Sequence, residues 1–469
     1  MRERIKLTTK KSYDLAREGI GEGLDILNRI RRKDFSGYTG MAIKNSTYNL
    51  ATSWIGKIGS LVFTMILARM LMPELFGLYN LALSTIVLFS VFADLGIGNA
   101  AIVFLSRAFA KKKGLEGGYY SYLLKIKIFM LGIVSVILIF SAKYIAEYYR
   151  KPLFFALIAG IVYLAIVSLM NFYSAIFQAK NDFKTVMYKE IILQSLRLII
   201  VPLTIFYSLS QSSELIIVIM FLSVSISYFV ALAYLFIKRP KFEIKELDKN
   251  KKREVNKFVI PLTATVISGV FFGSIDMLML GRVVAAQTIG YYSAALNLAT
   301  AIMTLASFAA VLFPIFSRIT GNQLKRAFRK SFLITAYISI IVLIGVLIFA
   351  WLGIWILYGS DYLPATNILR IFAVLILIDP FIGLYSNYYI SQGRTMILAK
   401  MLGIAILLNI GLNYFFIQSL IVYGHVYAAM GAAIATVLSR GIYLFILYRG
   451  SKAKYQKQDM PSLLKRQNL

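Results

Sequence analysis

The sequence predicts an all-α polytopic membrane protein that crosses the bilayer about twelve times, in two repeated halves of six helices. Three observations lead to this prediction. Hydrophobic residues make up 59% of the chain and charged residues only 15%, with a mean hydropathy of +0.73. The apolar residues are gathered into stretches of about 20 or more, long enough to cross a bilayer as helices. A motif beside the first stretch returns in the second half of the chain.

The apolar stretches are helical spans and not strands of a membrane barrel. Barrel strands alternate apolar and polar residues, whereas residues 133–140 and 341–349 do not alternate. A soluble core is excluded because ordinary soluble domains carry only about 45 to 50% apolar residues. We predict spans near residues 47–72, 78–106, 121–146, 152–179, 184–209, 214–238, 257–284, 291–317, 328–358, 363–390, 395–420 and 424–448.

Basic residues set the predicted orientation, since Lys and Arg concentrate in cytoplasmic connections. The connections after the second, fourth, sixth, eighth and tenth spans are basic, and those between them are nearly free of Lys and Arg, apart from Arg150, Lys151 and Arg282. Both termini are therefore expected in the cytoplasm. The expected location of the protein is a prokaryotic cell membrane.

A charged linker divides the spans six and six. The segment before the first span pairs apolar residues at helical spacing with acidic neighbours and a basic end, which suits either an amphipathic helix on the inner leaflet or a basic tail that fixes topology. The predicted parts are a cytoplasmic extension (1–44), an N-terminal half (45–238), a cytoplasmic linker (239–256), a C-terminal half (257–450) and a basic tail (451–469).

Composition excludes several kinds of chemistry. The chain has no cysteine and a single histidine, so neither disulfides, thiolate sites nor multi-histidine metal sites are expected. The net charge of +30 is spread among the connections, which indicates topology and not a nucleic-acid surface. No cofactor or metal is predicted, and no outer connection is long enough for a catalytic domain.

The repeat is carried by the pattern Arg-x7-Gly-x-Tyr-x2-Ala. A shift of 213 residues superposes Leu67, Arg69, Gly77, Tyr79 and Ala82 on their counterparts, which are Leu280, Arg282, Gly290, Tyr292 and Ala295. Because each half holds an even number of spans, the two copies have the same orientation, with a substrate path expected between them.

The opening spans carry motifs of a known family. Residues 66–82 read Ile-Leu-Ala-Arg-Met-Leu-Met-Pro-Glu-Leu-Phe-Gly-Leu-Tyr-Asn-Leu-Ala, and Phe-Ala-Asp-Leu-Gly-Ile-Gly-Asn follows at 92–99 and Leu-Ser-Arg-Ala-Phe-Ala at 105–110. The chain resembles the polysaccharide-transport branch of the multidrug, oligosaccharidyl-lipid and polysaccharide exporter superfamily, whose members flip lipid-linked saccharides. Segments 274–295 and 314–318 match more weakly.

The resemblance implies a V-shaped shell around a central cavity. The first and seventh spans and their neighbours are expected to line that cavity, which opens to each face in turn. The resemblance covers about residues 45 to 450, and it implies a shape but no individual ligands.

Lys57 is the leading candidate for a substrate-binding residue. It lies about ten residues into the first span, too deep to reach a headgroup region easily, beside Gly56 and Gly59. A charge at that depth needs a partner or a wet cavity. We therefore expect Lys57 to attract an anionic substrate, to pair with Asp94 of the second span, or both.

The repeated arginines Arg69 and Arg282 fall near the outer ends of the first and seventh spans. There each can bind a phosphate or extend its guanidinium to the membrane surface, where Arg69 can pair with Glu74. Both are kept as candidate substrate ligands.

Two deep carboxylates, Asp276 and Asp379, have two interpretations. Each can carry a proton or bind sodium to couple transport to an ion gradient, or each can pair with Arg197 or Arg370. Ion pairing is favoured because it needs no further machinery. Arg197 and Arg370 are also candidate substrate ligands.

Other polar groups in the spans are assigned structural roles. Lys127 and Glu190 are expected near the cytoplasmic interface, where their long side chains reach the headgroups. Asn409 and Asn413 are expected to form hydrogen bonds between helices.

Three functions from different classes are compatible with these features. Clustered carboxylates for catalysis are missing from the sequence, so a membrane enzyme acting on polyprenyl lipids is disfavoured. A cation-coupled multidrug exporter needs an acidic pocket, whereas Lys57, Arg197, Arg282 and Arg370 favour an anion. The sequence therefore predicts a flippase for polyprenyl-phosphate- or pyrophosphate-linked oligosaccharide, with membrane lipids, a proton or sodium ion and glycan-assembly enzymes as candidate partners.

Overall fold

The computed structural model describes residues 37–111, 114–243, 246–306, 321–391 and 395–452. These residues contain no β-strand, which confirms the predicted all-α class. The helices are α1 (Gly37–Asp94), α2 (Ile97–Lys111), α3 (Glu116–Tyr149), α4 (Phe154–Ala179), α5 (Phe183–Ser208), α6 (Ser213–Lys238), α7 (Lys249–Val283), α8 (Ala286–Ala306), α9 (Gly321–Tyr358), α10 (Ala365–Ala373), α11 (Leu375–Ser391), α12 (Thr395–Leu420) and α13 (His425–Lys452).

Many of these helices are suited to a membrane. Among the described residues, eight helices are long and apolar enough to span one, and a ninth span results if the bent pair α10 and α11 counts as one. One of the eight covers residues 47–110 and contains the first two predicted spans. Large apolar side chains point outward from the bundle, for example Phe140 at 74% and Phe206 at 66% exposed. A lipid surround explains such exposure, and the count of twelve spans stays a prediction.

Three breaks were not predicted at their observed positions. Met72 leaves the helical region at φ 58°, ψ 168°, and this divides α1 into a first arm (37–71) and a second arm (73–94). The second arm begins at Pro73, so the predicted connection 73–77 is itself helical; proline suits the first turn of a helix because it has no N–H to pair there. A second break follows at Leu95 and Gly96, both with positive φ.

The third break bends the tenth span. α10 and α11 meet at 41° at Val374, six residues before Pro380. A proline removes the hydrogen bond to the residue four positions earlier, here Ile376, so the helix is weakened on the side of Pro380 where the bend lies.

The repeated motif forms a contact between the two predicted halves. A Cβ on Gly77 would lie 1.9 Å from the carbonyl oxygen of Ala286, and one on Gly290 would lie 2.0 Å from the carbonyl oxygen of Pro73. Ala286 is Pro73 shifted by 213 residues, so the contacts are reciprocal, as a two-fold axis between the motifs requires. Only glycine allows this backbone approach.

The packing closes one end of the bundle, which we call the Met72 end. There a single hydrophobic core joins residues of both halves, including Leu71 and Phe76 from the first half and Tyr292 and Tyr362 from the second. Toward the opposite end the cores separate. One combines the first half with the start of α7, and another lies wholly in the second half, around Tyr389.

Candidate functional site

A cavity of about 500 Å³ lies between the halves. Its walls are the first arm of α1, α5 and α8, and its polar lining residues are Thr52, Ser53, Lys57, Ser60, Thr64, Glu190, Asn297 and Thr300. Lys57 is 15 residues before Met72 in the sequence, or about 22 Å along a helix at ~1.5 Å per residue. The cavity therefore lies well away from the closed Met72 end.

Lys57 is exposed in this cavity. Within the part of the chain that the structure describes, it makes no hydrogen bond or ion pair. Its predicted partner, Asp94, is paired with Lys127 instead. The predicted Lys57–Asp94 pair is therefore wrong. The ammonium group of Lys57 is left to attract an anion.

A chain of polar side chains on α5 backs the cavity wall. Lys189 donates to Glu190 over 2.7 Å, Gln194 donates to the other oxygen of Glu190 over 2.7 Å, and Arg197 donates to Gln194 over 2.6 Å. Arg197 also donates to Ser60 of α1 over 3.0 Å. Glu190 is therefore part of this network. This contradicts its predicted extension to the interface.

Two glycines of α1 make room for this network. A Cβ on Gly56 would lie 2.9 Å from Glu190, and one on Gly59 would lie 2.7 Å from Gln194. The missing side chains let α5 present polar groups directly against the α1 backbone.

Arg197 is a buried cation behind the cavity wall, at 7% exposed. Its guanidinium lies over the ring of Phe63 at 4.2 Å, and its Nε has no hydrogen-bond partner among the described residues. No described carboxylate lies within ion-pair distance of it, so the predicted pairing with Asp276 or Asp379 is wrong. Together with Lys57 and Lys189 it outweighs Glu190, and the cavity region is net positive.

Lys127 and Asp94 form an ion pair inside the first half. Lys127 is fully buried, which contradicts its predicted extension to the interface. Asp94 is the last residue of α1, so the pair ties α3 to the break at Leu95. Thr263 of α7 donates to the Leu95 carbonyl over 3.0 Å, and this brings the second half to the same break.

Arg69 and Arg282 lie at the Met72 end and not in the cavity. Arg69 donates to the carbonyl oxygens of Ile356 and, over 3.1 Å, Leu357, at the end of α9. Arg282 donates to the carbonyl oxygen of Tyr148, at the end of α3. Each arginine therefore caps the third span of the other half, where a cation also meets the negative end of the helix dipole. Arg69 does not pair with Glu74.

Two further side chains form hydrogen bonds between the halves in the opposite direction. Tyr362 donates to the carbonyl of Ala68 over 2.9 Å, and Lys151 donates to the carbonyl of Gly281 over 2.6 Å. Ala68 and Gly281 are equivalent under the 213-residue shift, so each half holds the other twice. Burial, and then the charge of nearby Arg282, lower the pKa of Lys151 below its usual value. We call these four capping groups the two latches.

Asp276 is buried in the second half. It accepts hydrogen bonds from Asn413 over 2.6 Å, from Tyr292 over 3.1 Å and from Thr436. Neither Arg197 nor Arg370 approaches it. Asn409 donates to Ser439 over 3.0 Å, so both asparagines bond between helices.

Asp379 pairs with Arg440, a residue that the sequence analysis did not single out. Its predicted pairing with Arg197 or Arg370 is wrong, since Arg370 is exposed and donates to Asn367 on its own helix over 3.3 Å. Among the described residues, no group of three or more His, Cys, Asp or Glu side chains is placed to hold a metal ion.

The described residues form a helical bundle with a polar cavity between two similarly arranged halves. The chain belongs to the polysaccharide biosynthesis protein family, whose model matches residues 42–320, more than half of the chain. An uncharacterized membrane protein of Methanocaldococcus jannaschii is 25% identical over 424 residues, which cover 86% of this chain and 96% of that protein.

Solved structures share the fold. The lipid II flippase MurJ in an inward closed conformation matches with a TM-score of 0.68 and 17% identity, over 86% of this chain and 87% of that one. An inward-facing multidrug resistance transporter of the MATE family matches with a TM-score of 0.65 and 14% identity, over 86% and 96%. An outward-facing MATE transporter scores 0.56 with 16% identity, over 90% and 98%.

These matches confirm the resemblance on which the prediction was based. The chain is a multi-helix protein of the polysaccharide biosynthesis family, and its fold is that of the flippase and the MATE transporters. The solved structures that share its fold are a lipid flippase and multidrug transporters.

Proposed function

We propose that this transporter flips polyprenyl-phosphate- or pyrophosphate-linked oligosaccharide from the inner to the outer leaflet of a prokaryotic cytoplasmic membrane, for cell-surface glycan assembly. The observation that carries the proposal is the cavity between the halves, which Lys57 lines and which Lys189 and Arg197 back, against the single carboxylate of Glu190, in a member of the polysaccharide biosynthesis family. Glycan-assembly enzymes are its proposed partners.

The charge of the cavity supports an anionic substrate. Lys57 is exposed there without a described partner, and Arg197 has a buried Nε without one. Ammonium and guanidinium groups form strong, charge-assisted hydrogen bonds with phosphate. The hydroxyl and amide groups of Ser53, Asn297 and Thr300 add neutral partners for sugar hydroxyls.

The latches support movement by alternating access. The structure has the Met72 end closed, and the proposed cycle opens that end while the opposite ends of the halves approach. The phosphate and glycan cross within the cavity while the prenyl chain stays in lipid. Arg69 and Arg282 then act in the gate and not as ligands.

Asp276 is the proposed coupling group. Its carboxylate lies beside the Thr436 hydroxyl, and the side-chain oxygens of Asn409 and Asn413 have no hydrogen-bond partner among the described residues. Hard cations prefer such oxygen ligands. Sodium is therefore favoured over a proton as the coupling ion.

Asp276→Asn is expected to uncouple transport from the sodium gradient. Because the amide keeps the size but loses the charge, the lipid still crosses down its own gradient, while stimulation by an imposed sodium gradient falls to about one-fold. Flipping rates in proteoliposomes with and without the gradient measure this effect. A variant that keeps the native stimulation would exclude Asp276 from coupling.

The function itself is tested with the native protein in proteoliposomes. The expected result is protein-dependent flipping of a fluorescent polyprenyl-phosphate-linked oligosaccharide, and no uptake of organic cations. The multidrug-exporter alternative requires the reverse result, in which the lipid stays in its leaflet and organic cations move against a proton or sodium gradient.

A further inference from the structure

A second pocket lies inside the second half and shares no lining residue with the cavity between the halves. Its volume is about 440 Å³, within the ~300–1,000 Å³ of small-molecule sites. It is bordered by α7, α11, α12 and α13, and its polar side chains are Asp379, Ser386, Arg440 and Tyr443.

The charged groups of this pocket form one neutral unit. Asp379 and Arg440 are paired with each other, and their side chains remain 24% and 16% exposed. The Nε of Arg440 is buried and has no partner in the described part of the chain. The pair therefore offers carboxylate acceptors and guanidinium donors side by side, with no net charge to attract an ion.

The remaining walls are apolar and aromatic. Phe272 lies under the guanidinium of Arg440 at 5.5 Å, and the ring of Tyr443 meets Phe272 edge-on at 6.1 Å. Leu398 and Leu402 of α12 complete the apolar part. The pocket thus combines an aromatic wall, formed by two rings that meet edge-on, with a donor and acceptor pair.

Glycines keep the pocket open. A Cβ added at Gly269 or Gly273 of α7 would meet no atom within 4 Å. These positions differ from Gly56, Gly59, Gly77 and Gly290, where a neighbour fills the space. Here the space that the missing side chains leave is empty.

We propose that this pocket binds one sugar ring of the lipid-linked glycan. A neutral ring with adjacent hydroxyls matches the donors and acceptors of the Asp379–Arg440 pair, and its apolar face matches the aromatic wall. The inference rests on the proposed function, and it names the part of the substrate that the second half selects, while Lys57 and Arg197 take the phosphate.

Two other occupants fit the pocket less well. An organic cation prefers an unpaired carboxylate, but Asp379 is neutralised by Arg440. A prenyl chain would cover the ion pair with hydrocarbon and remove its remaining contact with water, which is unfavourable without new hydrogen bonds. A sugar replaces those hydrogen bonds.

The test fills the pocket without breaking the ion pair. Gly273→Leu places a side chain in the empty space and also raises helix propensity, so the variant is expected to fold. Gly411→Leu is the matched control, because Gly411 is an exposed position in α12 with no atom within 4 Å of an added Cβ. Binding is measured in nanodiscs for polyprenyl phosphate with and without one attached hexose.

The native protein and Gly411→Leu are expected to bind the glycosylated lipid about tenfold more tightly than the bare lipid, a ratio that corresponds to ~1.4 kcal/mol. Gly273→Leu is expected to lose this preference and to keep native affinity for the bare lipid.

Other results overturn the inference. Equal binding of both lipids by the native protein would exclude a sugar site, and an equal loss of both in Gly273→Leu would show that the prenyl chain occupies the pocket. Absence of binding for either lipid would instead overturn the proposed function, and this inference with it.

Discussion

Gly77→Ala is expected to open the Met72 end of the transporter. The new Cβ would lie 1.9 Å from the carbonyl oxygen of Ala286, so the two backbones must separate. Overpacking of this kind costs about 1–3 kcal/mol, which shifts a two-state equilibrium about 5- to 150-fold. The chain has no cysteine, so labels at Glu74→Cys and Ala285→Cys report the distance across this end by electron spin resonance.

The repeat supplies a sharp comparison. Gly290→Ala meets the carbonyl oxygen of Pro73 at 2.0 Å and is expected to open the same end to a similar extent. Gly132→Ala is the control, because its Cβ would meet no atom within 4 Å. A label distance in Gly77→Ala that equals the native one would show that this contact does not hold the gate closed.

Asp94→Asn is expected to lower the free energy of unfolding by about 3–5 kcal/mol, the usual cost of leaving a buried charge without its partner. The charge left behind is that of Lys127, which is fully buried. Unfolding titrations in detergent measure the loss.

The double variant Asp94→Asn with Lys127→Met isolates the cause. Removal of both charges is expected to recover most of the stability, since the penalty belongs to the unpaired ammonium and not to the missing contact. Lys125→Met serves as control, because Lys125 is exposed on the same helix. A double variant no more stable than Asp94→Asn would contradict this explanation.

Most of the helices were predicted from the sequence with bounds close to the observed ones. The predicted span 152–179 is the helix Phe154–Ala179, and 395–420 is Thr395–Leu420. Hydrophobic length fixes such segments because each must cover the same bilayer thickness. The predicted helices were less accurate where polar residues extend them, as at α3, which begins at Glu116 and not at 121.

The error in the predicted start of α3 explains why Lys127 was placed wrongly. Counted from residue 121 it lies near the interface, but counted from Glu116 it lies three turns into α3, where only a partner can stabilise it. Arg440 was overlooked although it lies in the middle of the last predicted span, at a depth where a charge should draw attention. The sequence could not identify Asp379 as its partner, because the depth of a residue in the membrane does not tell which helices are neighbours.

The repeat was found from sequence, but its purpose was not. Matching Arg69 with Arg282 and Gly77 with Gly290 predicted two similar halves. The sequence did not show that the two copies contact each other, so the arginines were expected to bind a phosphate or to reach the membrane surface, and not to cap helix ends. Such contacts depend on the angle between the halves, which leaves no local pattern.

The central claim is that Lys57 binds the lipid phosphate in the cavity between the halves. The most direct test compares initial rates of flipping of a fluorescent polyprenyl-phosphate-linked oligosaccharide by the native protein, Lys57→Ala, Lys57→Arg and the exposed control Lys400→Ala. Loss of a charged hydrogen bond costs about 1.5–3 kcal/mol, so we predict a fall of roughly 10- to 150-fold in Lys57→Ala, partial retention in Lys57→Arg and a native rate in Lys400→Ala. A native rate in a folded Lys57→Ala protein would contradict the claim.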